Sequence, residues 1–338
     1  NGSDVILEDG AQWDSWGGND TQYINSHVTL NGVALFVIGD RNLVYTNLLS
    51  GVGGFVAPYW NHQVVLSASN TYSGPTVIGD GPQVALTGDG SISHSSLIFF
   101  GGNNPNSTHV DVSGRSDTTL TLASGQTLAG IGQISGNLTV SAGATLSPAG
   151  TNTTIGITTG QNAIGTISAS GNISLAGTTV IKLNGPGAND AVTSTSGAIT
   201  CGGTLNLVNI SATPLAAGDS FQILNAGSIS GSFANITPAA PGARLVWNTS
   251  QLNTTGVISV MGGPVISSTV VSGGNLIFSG TNGTAGNTYY VLTSTNLIAP
   301  LSTWVRLQTN TFGPGGVFSV TNAINPATPN RFFMLNLQ

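Results

Sequence analysis

Charge is what this sequence lacks most. Its 338 residues hold 12 acidic and 6 basic side chains, where a soluble chain of this length carries roughly 85 charged residues. Six scattered bases and a pI of 4.7 leave no electrostatic footprint for nucleic acid or an anionic membrane. Cysteine is nearly absent as well: Cys201 stands alone, so no intrachain disulfide can form. Long apolar runs are missing, since the longest candidate, Val33–Ile38, falls far short of the ~20 residues of a membrane-spanning helix. Ala, Glu, Lys, Leu and Arg do not dominate and a 3.6-residue period is almost absent, which excludes a coiled coil or helical bundle. Disorder is excluded from the other side, because 39% of the chain is hydrophobic and the net charge is −6.

What the sequence has instead is glycine, 48 of them, and a period-2 alternation of apolar and small polar residues. Short alternating runs are separated by Gly-Asp, Asn-Gly, Ser-Gly or Gly-Gly, turn formers that tolerate positive φ. Many short strands with such turns mean a sandwich, a barrel or a solenoid, and internal repetition separates these. Residues 135–140 (SGNLTV), 170–175 (SGNISL) and 196–201 (SGAITC) are versions of one unit. Each is followed by Gly and a second strand: GATL, GTTVIKL and GGTLNLV. A stacked solenoid repeats in this way, because each rung buries its apolar positions against the next. In that alignment Cys201 takes the inward position held by Val140 and Leu175, and reads as a small buried hydrophobe.

The texture changes near Gly262-Gly263-Pro264. Beyond it come denser apolar and aromatic runs, NLIFSG, NTYYVLTSTN, STWVRLQTN, GVFSVTN and RFFMLNL. With Val265–Val271 they make about six strands, spaced as in a small antiparallel sandwich of immunoglobulin or fibronectin type. The expected organisation is therefore all-β: a right-handed parallel β-helix or solenoid over 1–262, with an N-terminal strand segment over 1–16, and an immunoglobulin-like sandwich over 263–338.

The stretch from Leu66, LSASNTYSG followed by PTVIGDGPQVALTGDGSISHSS, resembles the autotransporter-associated β-strand repeat. That repeat has a strand, then Asn-Thr-Tyr-Ser/Thr-Gly, then a Thr-Val strand and a Gly turn. The sequence departs from it at PYWNH, where a Gly/Ser/Lys-rich turn is usual. The segments SGQTLAGIGQISGNLTVSAGATLSP and AAGDSFQILNAGSISGSF are similar to the continuation of such exported solenoids. The last 75 or so residues (TYYVLTSTNL…RFFML) look like a C-terminal module carried by such proteins in Verrucomicrobia-type bacteria. The resemblance implies secretion, a β-helical passenger-like body and a structural or surface role, and it carries over no catalytic residues. Export fits a chain that begins at Asn1 without Met or apolar leader, as a mature form does after cleavage of its signal, so the expected place is extracellular or on the cell surface.

The search for chemistry returns little. Glycosidases need two carboxylates flanking the scissile bond, yet the chain has one Glu, and six of its twelve acids precede position 41. Asp4, Glu8, Asp9 and Asp14 are a candidate weak calcium site, with a solvated terminal segment as the simpler reading. Asp80 and Asp89 each lie in Gly-Asp-Gly without the nonapeptide repeat of calcium-binding β-helices. His94, His109 and Asp111 have serines around them but no GxSxG elbow. No HExxH, paired CxxC, P-loop or dinucleotide fingerprint occurs. Lys182, in the run TTVIKLNG, reads as an outward strand lysine. No catalytic residue, cofactor or metal is assigned.

The expectation is a non-enzymatic secreted structural protein, a self-assembling subunit of an extracellular filament or surface layer whose copies exchange strands. A solenoid has open ends with unpaired backbone groups that proteins normally cap or charge, and this chain has little charge for the purpose. Val5, Ile6 and Leu7 are the candidate inter-subunit strand, completing the six-stranded module of another copy head to tail. The alternative is an adhesin or carbohydrate-binding passenger domain that contacts surface glycans through Trp13, Trp16, Tyr59 and Trp60, by stacking and neutral hydrogen bonds.

Overall fold

The computed structural model describes residues 4–15, 21–37, 39, 41–58, 62–103, 106, 108–154, 157–159, 163–328 and 330–337. It is all-β, 54% strand and 2% helix. Contacts divide it into two compact units, 1–241 with 247–260 and 242–246 with 261–338. The texture change at 262/263 does not mark residues 242–246 as part of the second unit.

The first unit is a parallel solenoid whose coils place strands on three faces. Val5–Leu7, Val28–Leu30 and Leu49–Ser50 open the first face. Gln12–Asp14, Val33–Val37 and Gly54–Ala57 open the second, and Gln22–Ile24, Leu43–Tyr45 and Gln63–Leu66 the third. Farther along, Thr127–Ser135 runs from the second face into the third, pairing first with Leu97–Gly101 and then with His109–Arg115. That continuous strand joins the two faces into one large curled sheet. The first face resumes as five strands from Thr119–Leu122 to Ser228–Gly231.

Strand alternation decides which side chains fill the interior. In Thr178–Leu183 half-buried and buried positions alternate, as a pleat with one wet face requires. The repeated units stack as their alignment implies: Leu138 lies beside Ile173 and Ile173 beside Ile199, while Val140 lies beside Leu175 and Leu175 beside Cys201. Asparagine fixes the corners. Asn137 Oδ1 accepts the N–H of Asn172 from 35 residues on, and Asn172 Oδ1 accepts that of Ala198 from 26 residues on. The early coils are shorter, with Asn70 reaching partners 21 residues away on either side. Part of the unevenness is an antiparallel hairpin, Asn152–Thr154 with Ile157–Thr159, inserted into one coil.

The first coils have an aromatic interior. Phe36 stacks on Tyr45 at 5.1 Å and on Phe55 at 4.6 Å, and Phe55 meets Tyr72 at 5.8 Å. Tyr72 is the tyrosine of the NTYSG segment; its hydroxyl bonds Thr76 Oγ1, which in turn donates to Ser95 Oγ. At the far end Ser220–Gln222 pairs antiparallel with Val257–Gly262.

The second unit is a small antiparallel sandwich. One sheet has the order Val265–Ser272, Asn275–Thr281, Phe318–Ala323; the other has Val305–Thr311, Thr288–Ser294, Phe332–Leu337. Phe278, Phe318 and Val320 from the first sheet pack with Tyr289 and Val291 from the second and with Phe312, and Phe333 and Leu335 lie against the cluster.

Candidate functional site

The N-terminal coil is held by its acids. Asp9 Oδ1 accepts the Val33 N–H at 3.0 Å, Glu8 Oε1 accepts from Asn31 Nδ2 at 3.0 Å, and Asp4 lies 3.4 Å from His27 Nδ1. These three carboxylates stitch the first coil to the second. No group of three or more potential metal-ligating His, Cys, Asp or Glu side chains exists among the described residues.

Among the described residues Val5–Leu7 is the outermost strand of the first face, and it pairs with Val28–Leu30 on one side. The Val5 N–H donates to His27 O, and Leu7 O accepts from Asn31 N–H. Backbone groups of successive strand residues point to opposite edges, so those of Ile6 point away from Val28–Leu30. The Ile6 side chain points out of the solenoid and is 60% exposed. Trp13 lies opposite the buried Phe36 and meets Tyr45 edge-on at 6.0 Å. It therefore faces the interior, and it is half-buried. Trp16, Tyr59 and Trp60 lie outside the described residues.

The remaining polar groups do structural work. Asp190 is fully buried; it accepts the backbone N–H groups of Gly165 and Lys182 and lies 2.6 Å from Lys182 Nζ. Burial pushes its carboxyl above the usual range, against the pull of Lys182 and of the two N–H groups. Lys182 leaves its strand on the outer side, yet its ammonium turns back onto this carboxylate and onto Pro148 O. Pairing a buried acid, which a lone lysine in a sequence does not reveal, is its role. Cys201 is buried, and burial pushes its thiol up to about 11, so it is not an activated nucleophile. His109 Nε2 contacts Gln133 Oε1 at 3.1 Å, Asp111 caps the Ser113 N–H, and His94 lies beside Ser93. None of these contacts aligns a serine with a histidine that a carboxylate orients, as nucleophilic catalysis requires. That order occurs instead in the first coils, where Ser50 Oγ lies 2.8 Å from His27 Nε2 and Asp4 Oδ1 lies 3.4 Å from His27 Nδ1, with the Asp4 side chain 74% exposed.

Among the described residues the sandwich presents two open edges. Val265–Ser272 is exposed at every position and carries no charge. Its register puts Val271 opposite Leu276, and Thr269 opposite the core residue Phe278, so Val271 belongs to the face that looks toward the other sheet. It is nevertheless 65% exposed, and Ile266, opposite Gly280, is 42% exposed. In the other sheet Phe332–Leu337 pairs with Thr288–Ser294 on one side. Leu337, opposite the buried Tyr289, stays 37% exposed. The core side of the sandwich is thus uncovered along one margin. A 790 Å³ cavity elsewhere in this unit is lined by Thr288, Asn310, Thr311 and Phe318 among other residues, none an acid, a base or a histidine.

Comparison with protein-family models, with curated proteins and with solved structures finds no match for this chain. No helix among the described residues is long and apolar enough to cross a membrane.

Proposed function

We propose that this chain is a non-enzymatic extracellular structural protein, the self-assembling subunit of a filament or surface layer whose copies join through strand pairing. The observation that carries this reading is the eight-residue strand Val265–Ser272, exposed along its whole length and without charge. Long apolar edges of that kind are normally blunted by lysine, proline or a covering loop, because they template pairing with another chain. The end coil of the solenoid repeats the theme through Ile6. Most of the carboxylates described above are spent on coil-to-coil bonds, turns and one buried ion pair, and the one in line with His27 and Ser50, Asp4, stands in water at 74% exposure, which supports a scaffold over an enzyme. The glycan-binding alternative draws no support from Trp13, whose contact is with Tyr45 inside the solenoid.

The test is the state of the purified full chain. Negative-stain microscopy and concentration-dependent light scattering are expected to show linear or sheet-like assemblies. A protein that stays monodisperse and monomeric at every concentration reached would sink the proposal.

A further inference from the structure

Among the described residues the sandwich has six strands and an open edge on Phe332–Leu337, and the chain carries a strand suited to that edge. In the seven-strand immunoglobulin arrangement the second sheet reads C, F, G, with G pairing to the free edge of F. Here Thr288–Ser294 stands in the place of C and Phe332–Leu337 in that of F, flanked on C's far side by Val305–Thr311. The place of G is empty among the described residues. A strand there would cover the margin where Ile266, Val271 and Leu337 lie exposed on the inner face.

Resting on the reading of a self-assembling subunit, we infer that the edge of Phe332–Leu337 accepts the N-terminal strand Val5–Leu7 of a second copy. That strand need not leave its own solenoid. Val5 and Leu7 stay in their coil, bonded to the next one. The backbone groups of Ile6, which point away from Val28–Leu30, supply the ladder bonds, and its side chain, facing away from its own core, enters the neighbour's. One strand then serves two cores, one on each face.

Charge selects this occupant. The first 40 residues contain six acids and no Lys or Arg. After Asp219 the chain contains no acid at all, and its three charged residues are Arg244, Arg306 and Arg331. The two ends of one copy are therefore complementary to the opposite ends of the next, which favours head-to-tail encounter and disfavours like ends meeting. Arg331 directly precedes the accepting strand, where it donates to Thr293 Oγ1 and lies over the Phe333 ring. Antiparallel pairing brings the Glu8–Asp9 end of the donor alongside it. A head-to-tail contact of this kind joins two different surfaces, so it repeats from copy to copy and builds an open chain of subunits wherever its rotation does not close a ring.

The test uses the full chain with Cys201→Ser, so that introduced cysteines are the only thiols. Ile6→Cys protein is mixed with Leu337→Cys protein and treated with a short bis-maleimide. A cross-linked dimer is expected in the mixture and absent from either variant alone. In parallel, Ile6→Asp, which alters a side chain exposed on the monomer, is expected to keep the circular dichroism spectrum and thermal midpoint while losing assembly at least tenfold. Assemblies that persist in Ile6→Asp, or that form without the mixed cross-link, overturn the donor assignment and leave self-assembly standing. A cross-link within Leu337→Cys protein alone also overturns it, by showing like edges paired. Wild-type protein that never assembles overturns the underlying reading and this inference with it.

Discussion

Two hydroxyls in the solenoid interior are buried without a hydrogen-bond partner among the described residues, Tyr45 Oη and Thr179 Oγ1. An unsatisfied buried hydroxyl costs about 1–3 kcal/mol relative to one that keeps its bond. Tyr45→Phe preserves the stacking on Phe36 and removes the orphan group, and Thr179→Val does the same between Leu146 and Leu205. Each substitution is expected to raise the thermal midpoint, by about 1 kcal/mol in stability, as differential scanning calorimetry would measure; a drop in either would mean that the hydroxyl has a partner. Cys201 gives a second residue-level expectation. With its thiol buried and pushed up to about 11, it should resist a thiol-reactive dye in the native protein at neutral pH and react promptly once denaturant opens the coil. Asp190 and Asp117 should respond to pH with opposite sign. Burial raises Asp190, so the native state binds its proton first, and the stability this group contributes falls as pH rises through the window just above the ordinary carboxylate value. Asp117 is lowered by its hydrogen bonds from Arg115; its contribution is present above the ordinary value and is lost as pH falls through the lowered one, and its exposure keeps the effect small. Thermal midpoints from pH 3 to 7 are expected to lose a falling component in Asp190→Asn and a slight rising one in Asp117→Asn.

At the scale of elements, the solenoid depends on close backbone contact at its corners. Gly53 lies against Gly32, and a Cβ built there would sit 1.8 Å from the Gly32 carbonyl oxygen, so Gly53→Ala must push two coils apart at a cost of about 3 kcal/mol. Asn70 is 2% exposed; its Oδ1 accepts from the Leu49 N–H and its Nδ2 donates to Ser91 O, tying three coils together. Asn70→Ala strips two buried backbone groups of their partners, and a loss of about 2–4 kcal/mol is expected in urea unfolding. These two residues also show why the fold was legible in the sequence. The asparagines of SGNLTV, SGNISL and NTYSG recur because a corner peptide needs an acceptor from the adjacent coil, and the apolar positions recur because each must meet its counterpart one coil on. Repetition of that kind leaves a trace in one dimension. The pairing of Lys182 with Asp190 leaves none: it depends on a loop folding back over the outer face of a strand, and nothing in TTVIKLNGPGAND distinguishes it from a solvated lysine. The acidic N-terminal cluster was ambiguous for the same reason. Calcium ligands and coil-to-coil acceptors use the same residue types, and what separates them is whether backbone N–H groups already occupy the oxygens, as Val33 does for Asp9. The exposed face of Val265–Ser272 was hidden too, since an alternating apolar run reads alike whether its inward side is covered or bare.

For the whole molecule, scarcity of charge acts together with its placement. Eighteen charges in 338 residues leave long stretches of each face neutral, so little repulsion opposes the approach of two copies. The few charges near the ends are sorted by sign, acids before position 41 and arginines after position 243. The two features act on different steps. In the proposed assembly sorted charge would guide the encounter, over a range set by the Debye length, which falls from about 10 Å at 0.1 M salt to about 3 Å at 1 M. In that assembly strand pairing and burial of Ile6, Ile266 and Val271 would hold the product, and screening would leave those contacts intact. Raising sodium chloride from 0.1 to 1 M is therefore expected to lengthen the lag before light scattering rises while leaving the final assembled fraction nearly unchanged. Arg331→Gln is expected to reproduce the longer lag at low salt and to blunt its salt dependence. If salt abolished the final assemblies, charge pairing and not strand pairing would be holding them. If salt left the lag untouched, the sorting of acids and arginines along the chain would have no part in bringing the copies together.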